Sequence, residues 1–115
     1  HSQVIELTRN LPADTPIFSN APDAVYFLAG RRTLGIPKKM NSMTQKPNSN
    51  YDDELAMMRE ILESNSGIVV YLKKLNRASA SQEAELQKQL ALSLLVRTDD
   101  GAIYGVTSAQ ELAVQ

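Results

Sequence analysis

The sequence predicts a three-layer α/β/α sandwich on a mixed, mostly parallel five-stranded sheet that ends in an antiparallel hairpin strand. Three observations carry this expectation. Short apolar runs alternate with helical patterns along the chain; "GIVVYL" is apolar at nearly every position, as in a strand covered on both faces; and "DDG" separates "LLVRT" from "AIYGV" as a tight turn would. With 115 residues the chain has the length of one domain, able to bury roughly two-thirds of the surface it exposes when unfolded. A single α/β domain over residues 1–115 is therefore expected, with no internal repeat or linker dividing it.

The elements follow in order. Val4, Ile5, Leu7 and Leu11 share a helical face that stops at Pro12, because a helix interior cannot accommodate the proline ring. Thr15 to Ser19 is a short apolar strand. Asn20 and Pro22 then open a helix with Val25, Leu28 and Ala29 on one face, closed by Gly30, which takes the left-handed conformation without Cβ strain. "TLGIP" is a second short strand, and the aperiodic polar run from Lys38 to Ser49 is a long surface loop. Asn50 caps "YDDELAMMREILES", whose first-turn acids suit the helix dipole and whose stripe is Leu55, Met58, Ile61 and Leu62. Of the two adjacent methionines, Met57 or Met58 is core. After Asn65-Ser66-Gly67 comes the central strand, "GIVVYLK". Ser79 or Ser81 opens the last helix, with Leu86, Leu90 and Ala84 inward, and "LSLLVRT" and "AIYGV" form the hairpin, whose Asp-Gly tolerates positive φ. The expected strand order is 2-1-3-4-5, with the most apolar strands at the centre. Asn20 and Asn50 are expected to accept backbone N–H bonds in the following turn, so that alanine at either costs on the order of 1 kcal/mol.

Composition removes several function classes. Twelve Lys and Arg against 13 Asp and Glu give a formal net charge of −1, and the tyrosines do not interleave with basic residues, which argues against a nucleic-acid partner. There is no cysteine, and the one histidine, His1, is the first residue, so a thiol nucleophile, a Ser-His-Asp triad and a thiolate or imidazole metal site lack their residues. The redox compartment is left open. Asp52-Asp53-Glu54 and Asp99-Asp100 are acid clusters in a helix start and a turn, positions that favour acids for backbone reasons. The five glycines are isolated and form no phosphate-cradling loop. No catalytic residue, metal ligand or cofactor is assigned.

One constellation remains. In a doubly wound sheet ligands bind beyond the carboxyl ends of the strands, and Ser19 and Asn20 fall there, ahead of a helix N-terminus. Lys38 and Lys39 follow the second strand, and Lys73, Lys74 and Arg77 follow the third, so the topology gathers positive charge on one edge. Two readings stay open. Ser19, Asn20, Lys38, Lys39, Lys73, Lys74 and Arg77 form an anion-binding edge, or the elbow is a helix cap beside solvated lysines.

"IFSNAPDAVYFLAGRR", "IPKK", "NYDDELAMMREIL" leading to "GIVVYL", and "DGAIYGV" together resemble the extracytoplasmic C-terminal segment of bacterial polytopic membrane proteins. Those proteins are similar to glycosyltransferases of the dolichyl-phosphate-mannose protein mannosyltransferase type, and the resemblance covers most of the chain. It implies a parent with many upstream transmembrane helices, a lipid-linked sugar donor, and a catalytic acid in an early loop outside this sequence. It carries no catalytic residue here, and Ser19, Asn20, Pro22 and Asp23 transfer only as a family-like motif. The lack of an initiating Met fits a piece of a longer membrane protein.

Two functions are thus expected. One is a non-catalytic accessory domain on the extracytoplasmic, periplasmic face of a membrane glycosyltransferase, whose partners are the parent's transmembrane region and an anionic lipid-linked sugar or lipid headgroup. The other is a free-standing α/β module of regulatory type that binds a small molecule or a protein.

Overall fold

A computed structural model describes residues 2–38, 46–73 and 77–106, with side chains described for all of these except 77–82. The elements are α1 (Gln3–Arg9), β1 (Ile17–Ser19), α2 (Pro22–Ala29), β2 (Leu34–Gly35), α3 (Tyr51–Ser64), β3 (Ile68–Leu72), α4 (Arg77–Gln89), β4 (Leu92–Thr98) and β5 (Gly101–Val106). The alternation predicts all of them, although α4 begins at Arg77, ahead of both Ser79 and Ser81.

The five strands form one sheet in the order β2-β1-β3-β5-β4. β1 pairs in parallel with β2 and β3, whereas β5 is antiparallel to both β3 and β4, so four strands point one way and β5 points the other. The expected order is corrected at its last two places: β5, not β4, lies beside β3. Burial explains the swap, since β5 is buried from Gly101 to Gly105 while Leu94, Leu95 and Val96 of β4 are exposed. A greasy composition does not make a strand central; here the small residues do, because a Cβ at Gly101 would run into the carbonyl oxygen of Tyr71 on β3. The connection from β3 through α4 to β4 thus leaves a gap that β5 fills, a split β-α-β arrangement.

Successive strand residues face opposite ways, and the buried side chains sort into two clusters accordingly. Ile17, Ile68, Val70 and Ile103 face Val4 and Ile5 of α1 and Val25 and Ala29 of α2. Phe18, Val69, Tyr71, Ala102 and Tyr104 face Met58 and Leu62 of α3 and Leu86 and Leu90 of α4. The sheet therefore lies between two helical layers.

Several inward residues differ from the expected set. Thr8 takes the place of Leu7 on the buried face of α1, its hydroxyl donating to the Val4 carbonyl at 2.7 Å. Leu28 and Ala84 are exposed, and of the methionine pair Met58 is buried and Met57 is not. Short helices meet the sheet along two or three positions, so the flanks of an apolar stripe stay outside. Gly30 closes α2 in the left-handed region, at φ 67°, as expected. Arginines close both helices from across the layer. Arg9 Nη2 donates to the Leu28 carbonyl at 2.8 Å, and Arg31 donates to the carbonyl of Thr8 in the last turn of α1 and to those of Leu11 and Pro12 beyond it.

Of the expected loop from Lys38 to Ser49, residues 39–45 lie outside the described residues. The hairpin turn is present, but Asp99, Asp100 and Gly101 all avoid positive φ. Side chains hold it instead: Thr98 Oγ1 donates to Asp100 Oδ1 at 2.7 Å. Between Leu94 and Val96 the ladder slips by one residue at Leu95, a β-bulge on the outermost strand.

Candidate functional site

Parallel pairing of β1, β2 and β3 brings their carboxyl ends to one edge, and the elbow Ser19-Asn20-Ala21 sits there. Ser19 is buried, and its Oγ accepts the Ala21 N–H at 3.0 Å, which turns the chain out of β1. Its carbonyl accepts the Ile36 N–H at 3.1 Å, which ties the elbow to the end of β2. Asn20 crosses to β3: Nδ2 donates to the Leu72 carbonyl at 3.0 Å, and Oδ1 accepts the Leu72 N–H at 2.9 Å. The amide thereby imitates a strand residue and locks the end of β1 to the end of β3.

This corrects the helix-cap expectation. The residue ahead of α2 is Ala21, with no side-chain cap and with Pro22 in the first turn, and Asn50 likewise caps α3 with no side-chain bond. At α3 the organising residue is Asn48. Its Oδ1 accepts the Asn50 N–H at 3.0 Å, and its Nδ2 donates to the Lys38 carbonyl and to Glu54 Oε1. Sequence reasoning missed Asn48; the "PNSN" run, with an Asn able to bond two residues ahead, is the signal that was there to find it.

Of the basic residues expected at this edge, Lys38 and Lys73 are exposed. Lys73 directly follows the Leu72 that Asn20 holds, and its N–H donates to the Asp100 carbonyl at 2.8 Å. Lys39 and Lys74 lie outside the described residues, as does the Arg77 side chain. Ser19 Oγ and the Asn20 side-chain amide take part in the bonds that tie the elbow to its neighbours, beside the exposed Lys73.

The other polar groups with chemical potential are also held within the fold. On the α4 side of the sheet, Tyr104 donates to Glu83, and Arg97 Nη2 reaches the Tyr104 hydroxyl at 3.0 Å and Glu83 at 3.4 Å. The Tyr71 and Tyr104 rings meet edge to face with centroids 6.4 Å apart. Burial, reinforced by Glu83, pushes both phenols above their ordinary pKa. At the hairpin, Asp100 accepts from Ser2 and Thr98, and Ser2 Oγ also accepts the Ile5 N–H at 3.2 Å as the N-cap of α1. The acids Asp52 and Asp53 are exposed, and among the described residues no group of three or more His, Cys, Asp or Glu could hold a metal.

The surface also carries exposed apolar side chains. Tyr26, Phe27 and Leu28 stand exposed on α2, and an open groove of about 490 Å³ runs between α1 and β4, lined by Gln3, Glu6, Leu7, Val96, Arg97 and Thr98. Among the described residues no helix is long and apolar enough to cross a membrane. No protein-family model, curated protein or solved structure matches the chain.

Proposed function

We propose that the chain is a non-catalytic accessory domain on the extracytoplasmic, periplasmic face of a polytopic membrane protein of the lipid-linked-sugar glycosyltransferase kind, acting through contact with the membrane-embedded part of its own parent. The resemblance in sequence supplies this setting. The distribution of polarity carries the mode of action: Ser19, Asn20, Glu83, Asp100 and Tyr104 all bond within the domain, whereas an apolar helix face, Tyr26 to Leu28, is left to a partner. Lys38 and Lys73, exposed near the carboxyl edge, suit the phosphate of a lipid-linked sugar or headgroup.

Two measurements test this reading. The purified chain, incubated with a polyprenyl-phosphate sugar and an acceptor, is expected to transfer and hydrolyse nothing; turnover would end the non-catalytic assignment. The coding sequence upstream of His1 is expected to specify repeated apolar segments of about 20 residues. A start codon or a water-soluble domain in that place removes the membrane-protein setting.

A further inference from the structure

We propose that the outer face of α2 is a membrane-surface contact, in which Phe27, flanked by Tyr26 and Leu28, enters the headgroup layer of an anionic bilayer while Arg32, just beyond the C-terminal end of the helix, meets a lipid phosphate. The inference rests on the membrane-associated setting above and adds which surface touches lipid and through which residues.

Helix geometry comes first. α2 reads "PDAVYFLA", with Asp23 its one charged residue. Val25 and Ala29, four apart, are its buried positions, and Phe27 lies half a turn from both. Phe27 is 84% exposed, Tyr26 63% and Leu28 49%. A helix apolar on nearly all sides is normally covered on all sides, and this one is covered along a single line.

Charge indicates the covering partner. Arg9 Nη2 is bonded to the Leu28 carbonyl at 2.8 Å, Arg31 is clamped beside it on the carbonyls after α1, and the exposed Arg32 follows two residues beyond Gly30. Glu6, bonded to Arg9 at 3.0 Å, offsets its charge, and Arg31 is committed to carbonyls, so the exposed Arg32 is the side chain left to reach a phosphate. Aromatic side chains beside arginine are suited to the bilayer interface, where rings sit among headgroups and long cationic side chains reach the phosphates.

Area separates lipid from protein as the occupant. A stable protein partner needs about 800 Å² on each side, whereas three side chains on a convex eight-residue helix offer roughly a few hundred. A fluid interface accepts such a wedge without a complementary groove. Asp23, four residues before Phe27 and on the same face, opposes insertion of the first turn, so the C-terminal half of α2 goes deeper.

The chain contains no tryptophan, so Phe27→Trp makes a single indole reporter at the centre of the face. With vesicles of phosphatidylcholine and phosphatidylglycerol its emission is expected to shift to the blue, and to shift less with phosphatidylcholine alone or at high salt. In vesicle flotation, Phe27→Ala is expected to weaken partitioning on the order of tenfold. Asp23→Asn is expected to strengthen it, and Arg32→Ala to weaken it on the anionic vesicles only. Unchanged unfolding midpoints verify that these exposed substitutions leave the fold intact. No blue shift with anionic vesicles, or equal flotation of Phe27→Ala and the unsubstituted chain, overturns the proposal. So does a blue shift produced by a protein partner and absent with lipid. If vesicles fail while the upstream sequence encodes membrane segments, the lipid contact alone is lost; if the upstream sequence is water-soluble, the accessory-domain reading falls whatever the vesicles do.

Discussion

At the scale of the residue, Asn20 and Asp100 do the same kind of work: each supplies with its side chain what the backbone lacks at the end of an element. Asn20→Ala would leave both the N–H and the carbonyl of Leu72 without their partner, and is expected to cost on the order of 2 kcal/mol. Asn50→Ala removes no cap bond and should move the urea midpoint little, so equal effects of the two would refute the assignment of the β1–β3 link. Asp100 is titratable. Desolvation raises its pKa, but the hydroxyls of Ser2 and Thr98 and the N–H groups of Asp100 and Val4 together outweigh this and hold the carboxyl below its usual value. A carboxyl depressed in the folded state contributes stability that is present above the unfolded value of about 3.9 and is lost as pH falls through the lower folded one. Asp100→Asn is therefore expected to lower the midpoint at neutral pH and to bring the two proteins together in strong acid, as thermal unfolding across pH will show. The partner of Asn20 was not legible in the sequence because it lies 52 residues away, and an asparagine two residues ahead of a proline looks like a local cap. The position of the elbow at the strand ends was legible, because topology alone places it there.

Among the elements, what could be read from sequence was whatever local pattern dictates. α3 spans the stretch its caps and stripe predict, and β3 is buried on both faces as its unbroken β-branched run requires. Which of the two hairpin strands would lie inside was not legible, because apolar character points to "LSLLV" and space points to "GAIYG". Gly101 decides the matter. Gly101→Ala would force a methyl group against the Tyr71 carbonyl, part of the β3–β5 ladder, and is expected to destabilise the domain by roughly 1 to 3 kcal/mol in a denaturant titration. A wild-type midpoint would mean that β5 does not pack this closely on β3. The bulge at Leu95 suits the outer position of β4, since a kinked edge pairs poorly with other strands.

For the whole molecule, the two clusters on either side of the sheet are joined through β5, the one strand that runs against the others and borders both β3 and β4. Its turn also reaches back across the chain: Asp100 bonds Ser2 at the start of α1, and its carbonyl holds Lys73 at the end of β3. The order of synthesis gives this arrangement a consequence. As the chain leaves the ribosome, α1, β1 and β3 emerge long before the residues that fasten them. Until Asp100 to Val106 follow, one side of β3 stays open and α1 lacks its acidic anchor. The domain therefore completes only with its last strand, and a nascent chain halted short of Gly101 would present an unpaired strand edge to whatever holds unfinished polypeptides.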